Sequence, residues 1–163
     1  MATAPDLLSS APDIVIRPMG ETDVATVAAL ERACYAFPWS EGIFRDCVRV
    51  GYVCRVALLD EALVAYSVMS IGAGESHILN LCVGAEFRCR GIGRRVLTYM
   101  LERATAAGMM EAFLEVRPSN TGAIRLYQSM GFDQVGVRRG YYQAVGGRED
   151  AAVLKLPLRS RRS

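Results

Sequence analysis

Glu115 ends a short apolar run, Glu111-Ala-Phe-Leu-Glu-Val, and Tyr127 follows twelve residues later. Side chains alternate along a strand, so Ala112, Leu114 and Val116 share one face and Phe113, Glu115 and Arg117 the other. A carboxylate in such a place is either held in an ion pair with one of the many arginines or used to move a proton, and both readings stand. Tyr127 shares a helix face with Ala123, Ile124 and Met130; its plain reading is a core tyrosine with a satisfied hydroxyl. Upstream lies Arg88-Cys-Arg-Gly91-Ile-Gly93-Arg-Arg95. A helix start leaves about four N–H groups without internal partners and adds partial positive charge. Glycines clear space over those donors and arginines add full charge, which suits a phosphate or pyrophosphate.

The elements that must position these groups follow from pattern. His77 to Val83 reads as a buried strand, because Ile78, Leu79, Leu81, Cys82 and Val83 are nearly continuous apolar residues, as in a strand covered on both faces. Val96, Leu97, Met100, Leu101 and Ala104 recur at helical spacing. Three readings compete for the loop between them. One is an ordinary strand–helix connection. Another is a dinucleotide turn, Gly-x-Gly-x-x-Gly, weakened because Val96 takes the third position and the glycines lie eight residues past Val83, although Glu115 falls near the place of a ribose-binding acid. A third is an Arg/Gln-x-x-Gly-x-Gly/Ala pyrophosphate loop. A P-loop fails, for no Gly-Lys-Ser/Thr follows.

The chain of 163 residues is most simply one domain, and 52% hydrophobic content is ample for one core. A net charge of +2 is too mild to argue nucleic-acid binding. Five cysteines without Cys-x-x-Cys, and one histidine, leave little material for a metal site, and none is expected. Buried free thiols in a reducing compartment are expected. Cys89 sits among arginines, where a thiol can be acidic, but spacing supplies no resolving partner. No signal peptide and no membrane span are expected, which makes the cytoplasm the default location.

Residues 1–12 read as a disordered leader and 159–163 as a basic, mobile tail around a domain of residues 13–158. Ile14–Arg17 starts a strand. Glu21–Tyr35 reads as a helix with Val24, Val27, Ala28 and Glu31 inward. Ser40 caps a second helix carrying Ile43, Phe44, Cys47 and Val48 inward. Tyr52–Leu59 and Ala62–Ile71 form a hairpin about Asp60-Glu61. Glu111–Val116 is a strand, and Asn120 caps a helix over Thr121–Met130. Gln134–Arg139 and Ala151–Leu156 are a last strand pair, joined by a loop holding Tyr141 and Tyr142. The order βααβββαβαββ predicts one mixed α/β domain, a central twisted sheet flanked by helices.

At this point the chain resembles the GNAT superfamily of acetyl-CoA-dependent N-acetyltransferases, and within it the bacterial ribosomal-protein-alanine N-acetyltransferases (RimI type). The resemblance covers roughly residues 14–158. It rests on Phe37-Pro-Trp39-Ser40, Asn80-Leu-Cys-Val83, Arg90-Gly-Ile-Gly93, Leu114-Glu-Val-Arg-Pro-Ser-Asn120, Leu126-Tyr127-x-x-x-Gly131-Phe132, and Arg138-Arg-Gly-Tyr-Tyr142 followed by Glu149-Asp150. The resemblance implies that the backbone of Leu81, Cys82 and Val83 holds the acetyl and pantetheine part of acetyl-CoA. It implies that Arg88, Cys89, Arg90, Gly91, Ile92, Gly93 and Arg94 cradle its pyrophosphate and that Asn120 binds it through the side chain. Glu115 would be the general base and Tyr127 the acid for the departing thiolate. Trp39, Tyr141 and Tyr142 would lie on the peptide side. Arg88 stands where Gln is more usual, and Cys82 where Ala is common.

The implied reaction is transfer of acetyl to the N-terminal alanine of a small-subunit ribosomal protein, with a wider set of protein N-termini open, by a monomer or weak dimer that needs neither nucleic acid nor membrane. An α-amine titrates at ~7.7–8.0 against ~10.4 for lysine, so about 3.4 kcal/mol less deprotonation work is required. One carboxylate is then a sufficient base. The rivals are acetylation of lysine side chains or small amines, and a non-catalytic acyl-CoA-binding module, which needs neither Glu115 nor Tyr127.

Overall fold

The computed structural model describes residues 13–159. The expected leader over residues 1–12 and most of the expected tail fall outside the described residues. The elements are β1 (Val15–Pro18), α1 (Val24–Cys34), α2 (Glu41–Arg49), β2 (Val53–Leu59), β3 (Ala62–Gly72), β4 (Glu75–Val83), α3 (Ile92–Ala106), β5 (Glu111–Val116), α4 (Thr121–Ser129), β6 (Asp133–Ala144) and β7 (Gly147–Pro157), with 3-10 turns at Glu21–Asp23 and Ala85–Phe87. This is the expected order βααβββαβαββ. The strands form one mixed sheet, β1-β2-β3-β4-β5-β7-β6. Pairing is antiparallel for β1–β2, β5–β7 and β6–β7, and parallel for β4–β5. Two tight turns build its middle. Asp60 and Glu61 (φ 48° and 68°), then Ala73 and Gly74 (φ 53° and 80°), take left-handed backbone at both turn positions. That twist matches the twist of paired strands.

The described residues divide into two compact units, one comprising residues 13–68 with Asn80–Met100, the other Met69–Leu79 with residues 101–159. In the first, α1 buries Val24, Val27, Ala28 and Glu31, the inward set its spacing predicts. Val24, Val27 and Ala28 meet Phe44, Cys47, Cys54, Val56, Tyr66, Val68 and Cys82 in one core. Fully burying the valine and phenylalanine side chains among them contributes about 1.5–3 kcal/mol each before entropy. In the second unit Ala112, Leu114 and Val116 of β5 are buried, as are Ala151, Ala152 and Leu154 of β7.

Five expectations change. The helix expected over Glu21–Tyr35 opens as a 3-10 turn, because the Asp23 carboxylate is held by the Gly20 N–H at 2.8 Å and by both Arg17 nitrogens at 2.7 and 2.9 Å. Ile43 is exposed, since the inner stripe of α2 centres on Phe44 and Cys47. β4 is not covered on both faces: Ser76, Ile78 and Cys82 are buried, but Leu79 on the other face is exposed. Tyr141 and Tyr142 lie in strand β6 rather than a loop. A bulge carries β6 on, because Gly140 takes φ 58° and its N–H reaches Asp150 Oδ1 at 2.8 Å. Not every thiol is buried: Cys47, Cys54 and Cys82 are, Cys34 is half-buried, and Cys89 is exposed.

Candidate active site

Within the first unit, the strand end and the glycine loop form one continuous backbone feature. Side chains grip the carbonyls of β4 in turn. Ser67 Oγ donates to Asn80 O (2.8 Å), Tyr35 Oη to Leu81 O (3.0 Å), and Arg88 Nε to Val83 O (3.2 Å). The last bond folds the loop back on the strand it leaves. Gly84 donates to Val64 O at 2.8 Å, and a Cβ there would meet Leu30, Phe87 and Val64 O at 3.4 Å, so the chain passes closely. Arg90 lies over the Phe87 ring at 5.6 Å.

Cys89 (φ 63°) and Gly91 (φ 79°) then turn the backbone through the left-handed region. Helix α3 starts at Ile92, whose side chain is buried, and the Arg95 N–H returns to Gly91 O at 3.0 Å. The N–H groups of Ile92 and Gly93 precede any carbonyl one helical turn back. Exposed Arg88, Arg90 and Gly91 surround them. Left-handed turning, a helix start and positive charge at one place fit a pyrophosphate. Cys82 points into the core, where burial pushes its thiol up to about 12, so it stays neutral.

Trp39 follows α1 in the same unit. Its N–H donates to Glu31 Oε2 at 2.9 Å, and its ring lies 5.3 Å from Phe44. Glu31 belongs to no motif; helical spacing only places it on the inner face of α1. A carboxylate on such an apolar stripe signals a buried, fully bonded group.

The second unit collects the other candidates. Glu115 lies opposite Val153 of β7, on the half-open face of β5. Its carboxylate is 24% exposed, with Arg138 Nη1 at 3.6 Å. Both readings of this residue thus have a basis: an ion pair is present, and it is loose and solvated on the arginine side. Arg138 lies over the Tyr141 ring at 5.2 Å, and Tyr141 meets Tyr142 edge-on at 4.9 Å. Burial first, then Tyr141 and Glu115, raises the proton affinity of Tyr142. Arg117 stacks over Tyr142 at 4.4 Å and pairs with Glu149 at 3.2 Å. Glu149 also accepts from Ser119 N (3.0 Å) and Ser119 Oγ (3.1 Å), which holds its carboxyl below the usual range.

Asn120 accepts the Ala123 N–H on Oδ1 at 3.2 Å, as an N-cap. Its amide NH2 is the group left for binding a ligand. Tyr127 is buried, edge-on to Phe132 at 5.9 Å. Burial pushes its hydroxyl up to about 12, so it remains a proton donor at neutral pH. His77 stacks on Phe113 at 5.3 Å, in keeping with a structural role. The motif Arg-Arg-x-Tyr-Tyr…Glu-Asp therefore acts as a scaffold: Arg138 reaches Glu115, Glu149 fixes the Arg117–Asn120 turn, and Asp150 holds the Gly140 bulge.

The profile of the acetyltransferase (GNAT) family matches residues 24–132. The chain belongs to the acetyltransferase (GNAT) family. It is 33% identical over 140 residues to the ribosomal protein bS18-alanine N-acetyltransferase of Salmonella typhimurium, covering 86% of this chain and 95% of the relative. Among solved structures, the ribosomal-protein-S18-alanine N-acetyltransferase from Escherichia coli is similar, with TM-score 0.85 and 30% identity over 93% of this chain and 97% of that one. Arabidopsis thaliana NAA60 in complex with acetyl-CoA shares the fold at TM-score 0.82 and 21% identity, over 90% of this chain and 99% of that one. Among the described residues, no group of three or more metal-ligating side chains is gathered, and no helix is long and apolar enough to cross a membrane.

Proposed function

We propose that this chain is an N-α-acetyltransferase that moves acetyl from acetyl-CoA to the N-terminal alanine of ribosomal protein bS18. The observation that carries the reading is a half-open carboxylate, Glu115, and a buried protonated phenol, Tyr127, in one unit of a chain 33% identical to an enzyme named for that substrate. A ribosomal substrate puts the reaction in the cytoplasm.

Acetyl-CoA, when bound, supplies a thioester carbonyl for attack and a thiolate to depart. The residues of the chain do the rest. The N–H groups at the start of α3, with Arg88, Arg90 and Arg94, hold the pyrophosphate, and Asn120 contributes its amide NH2. The β4 backbone from Leu81 to Val83 lines the acetyl and pantetheine part, and an N–H near Cys82 or Val83 donates to the carbonyl oxygen as it gains charge. Glu115 takes the proton of the α-amine, directly or through a water. Tyr127 would give its proton to the departing sulfur as the amine nitrogen replaces it on the acetyl carbon, and solvent, taking up the proton gained by Glu115, would return one to the phenolate. Direct attack needs no enzyme nucleophile. Tyr141, Tyr142 and Trp39 line the peptide side.

The test offers two peptides with acetyl-CoA: one with a free N-terminal alanine and no lysine, one with a blocked N-terminus and an internal lysine. Coenzyme A release and product mass are read together. Acetylation of the alanine peptide alone is expected; acetylation of only the lysine peptide would overturn the substrate, and silence on both alongside tight acetyl-CoA binding would favour a non-catalytic module.

A further inference from the structure

Glu31 is a carboxylate with 2% exposure, in the penultimate turn of α1. Burying a charge is costly unless it is hydrogen-bonded throughout. Glu31 meets that condition by binding three other parts of the first unit. Oε1 accepts from the Tyr66 hydroxyl of β3 and from Asn80 Nδ2 of β4 at 3.0 Å. Oε2 accepts the backbone N–H of Trp39 at 2.9 Å. Asn80 directly precedes Leu81–Val83, the strand end assigned to the acetyl group, and Trp39 sits in the segment between α1 and α2. An aromatic chain closes the circuit: Trp39 packs on Phe44 and Phe44 meets Tyr66 edge-on at 5.5 Å. One buried carboxylate thus ties the backbone of the Phe37–Trp39 segment to that of β4.

We propose that Glu31 is a positioning residue, setting the Trp39 segment at a fixed place relative to the end of β4 and thereby the affinity for the acceptor peptide. The proposal rests on the reading that Trp39 lines the peptide side of an N-terminal acetyltransferase. Glu31 touches no reacting atom. Its effect falls on the peptide rather than on acetyl-CoA, because β4 keeps other ties at Ser67 and Tyr35, whereas Oε2 of Glu31 holds the Trp39 N–H.

Glu31→Met keeps the side-chain length and removes both carboxylate oxygens, leaving only a weak thioether acceptor. Glu31→Gln is the conservative rescue: its carbonyl can face the Trp39 N–H while the Tyr66 hydroxyl and the Asn80 amide reverse to accept from its NH2. Trp39 is the one tryptophan of the chain, so its emission reports this segment without interference. In Glu31→Met the peptide KM should rise about tenfold or more, the size of one lost hydrogen bond to a charged group, with acetyl-CoA KM within about twofold of wild type. Trp39 emission should shift to the red, and Glu31→Gln should restore both. Wild-type protein supplies a check independent of whether the Met variant folds: the Trp39 amide should exchange with deuterium at least about a thousandfold slower than an open amide. Fast exchange, an unchanged peptide KM in Glu31→Met, or equal losses for both substrates would each overturn the positioning role. A wild-type protein that acetylates neither peptide would sink the substrate reading and this role with it; an active wild type with an unaffected Met variant would sink this role alone.

Discussion

Replacing Glu115 by Gln separates its two possible roles, partner of Arg138 and proton acceptor. Gln keeps the shape and removes the charge. If Glu115 serves only to pair with Arg138, little is lost: the contact is 3.6 Å and the arginine is 58% exposed. Such solvated pairs contribute about 0–1 kcal/mol, which is at most roughly a fivefold effect on any equilibrium. If Glu115 is the base, the loss of a positioned proton acceptor costs about 10²–10⁴ in rate, or roughly 2.7–5.5 kcal/mol of barrier. The ranges do not overlap. The assay is coenzyme A release with an alanine-first peptide at saturating acetyl-CoA near pH 7, alongside a urea unfolding curve of each protein. We expect kcat/KM to fall at least about a hundredfold while the unfolding free energy changes by less than about 1 kcal/mol. The deficit should narrow above about pH 8, where the α-amine is already neutral. A variant within about fivefold of wild type at pH 7 would refute the assignment of Glu115 as base and leave the ion pair as its whole role.

Four further outcomes are expected. Tyr127→Phe leaves the ring against Phe132 and removes the hydroxyl, so kcat should fall about 10²-fold; the loss should stay level from roughly pH 6 to 10, because burial pushes Tyr127 up to about 12 and its donor form persists. A deficit that vanishes in that window would exclude it as the acid. Asn120→Ala removes the cap on Ala123 N–H and should cost about 1 kcal/mol, while Asn120→Asp keeps an acceptor there and should raise acetyl-CoA KM without lowering Tm; equal Tm losses in both would show that the cap was not the source. Gly91→Val forces a branched residue to φ 79°, at a cost of about 1–3 kcal/mol in the loop, and should weaken acetyl-CoA binding measured by calorimetry; unchanged binding would remove the loop from the pyrophosphate site. Burial holds Cys54 at about 11, and Cys82 and Tyr127 at about 12, above their ordinary values of 9.0 and 10.0. Below about pH 9 these groups are neutral folded or unfolded; above it the unfolded chain ionises first, so stability should fall as pH rises through roughly 9–12, and a flat urea midpoint across that window would contradict the burial.

The order of the elements and most of their ends were legible because they depend on local rules. Alternation in Glu111–Val116 placed Ala112, Leu114 and Val116 inward and left Glu115 on the open face, and that is how they lie. Ser40 and Asn120 cap the helices after them through their own side-chain oxygens. The residue types from Arg88 to Gly93 favour a helix start, and α3 does begin at Ile92. Where neighbours across the sheet or in the core set the outcome, local pattern fell short. Leu79 is apolar yet exposed, since apolar character alone does not say which face of β4 is covered. Tyr141 and Tyr142 read as loop beside Gly140, but the Asp150 carboxylate from the opposite strand carries β6 across the bulge. The ion pair of Glu115 needed Arg138, twenty-three positions away, brought alongside by the pairing of β6 with β7 and β7 with β5. Glu31 shows the division most clearly. Its helical spacing put it inward; that it binds Tyr66, Asn80 and the Trp39 backbone at once was decided by tertiary packing, because a buried charge persists only where distant parts of the chain arrive together to bond it.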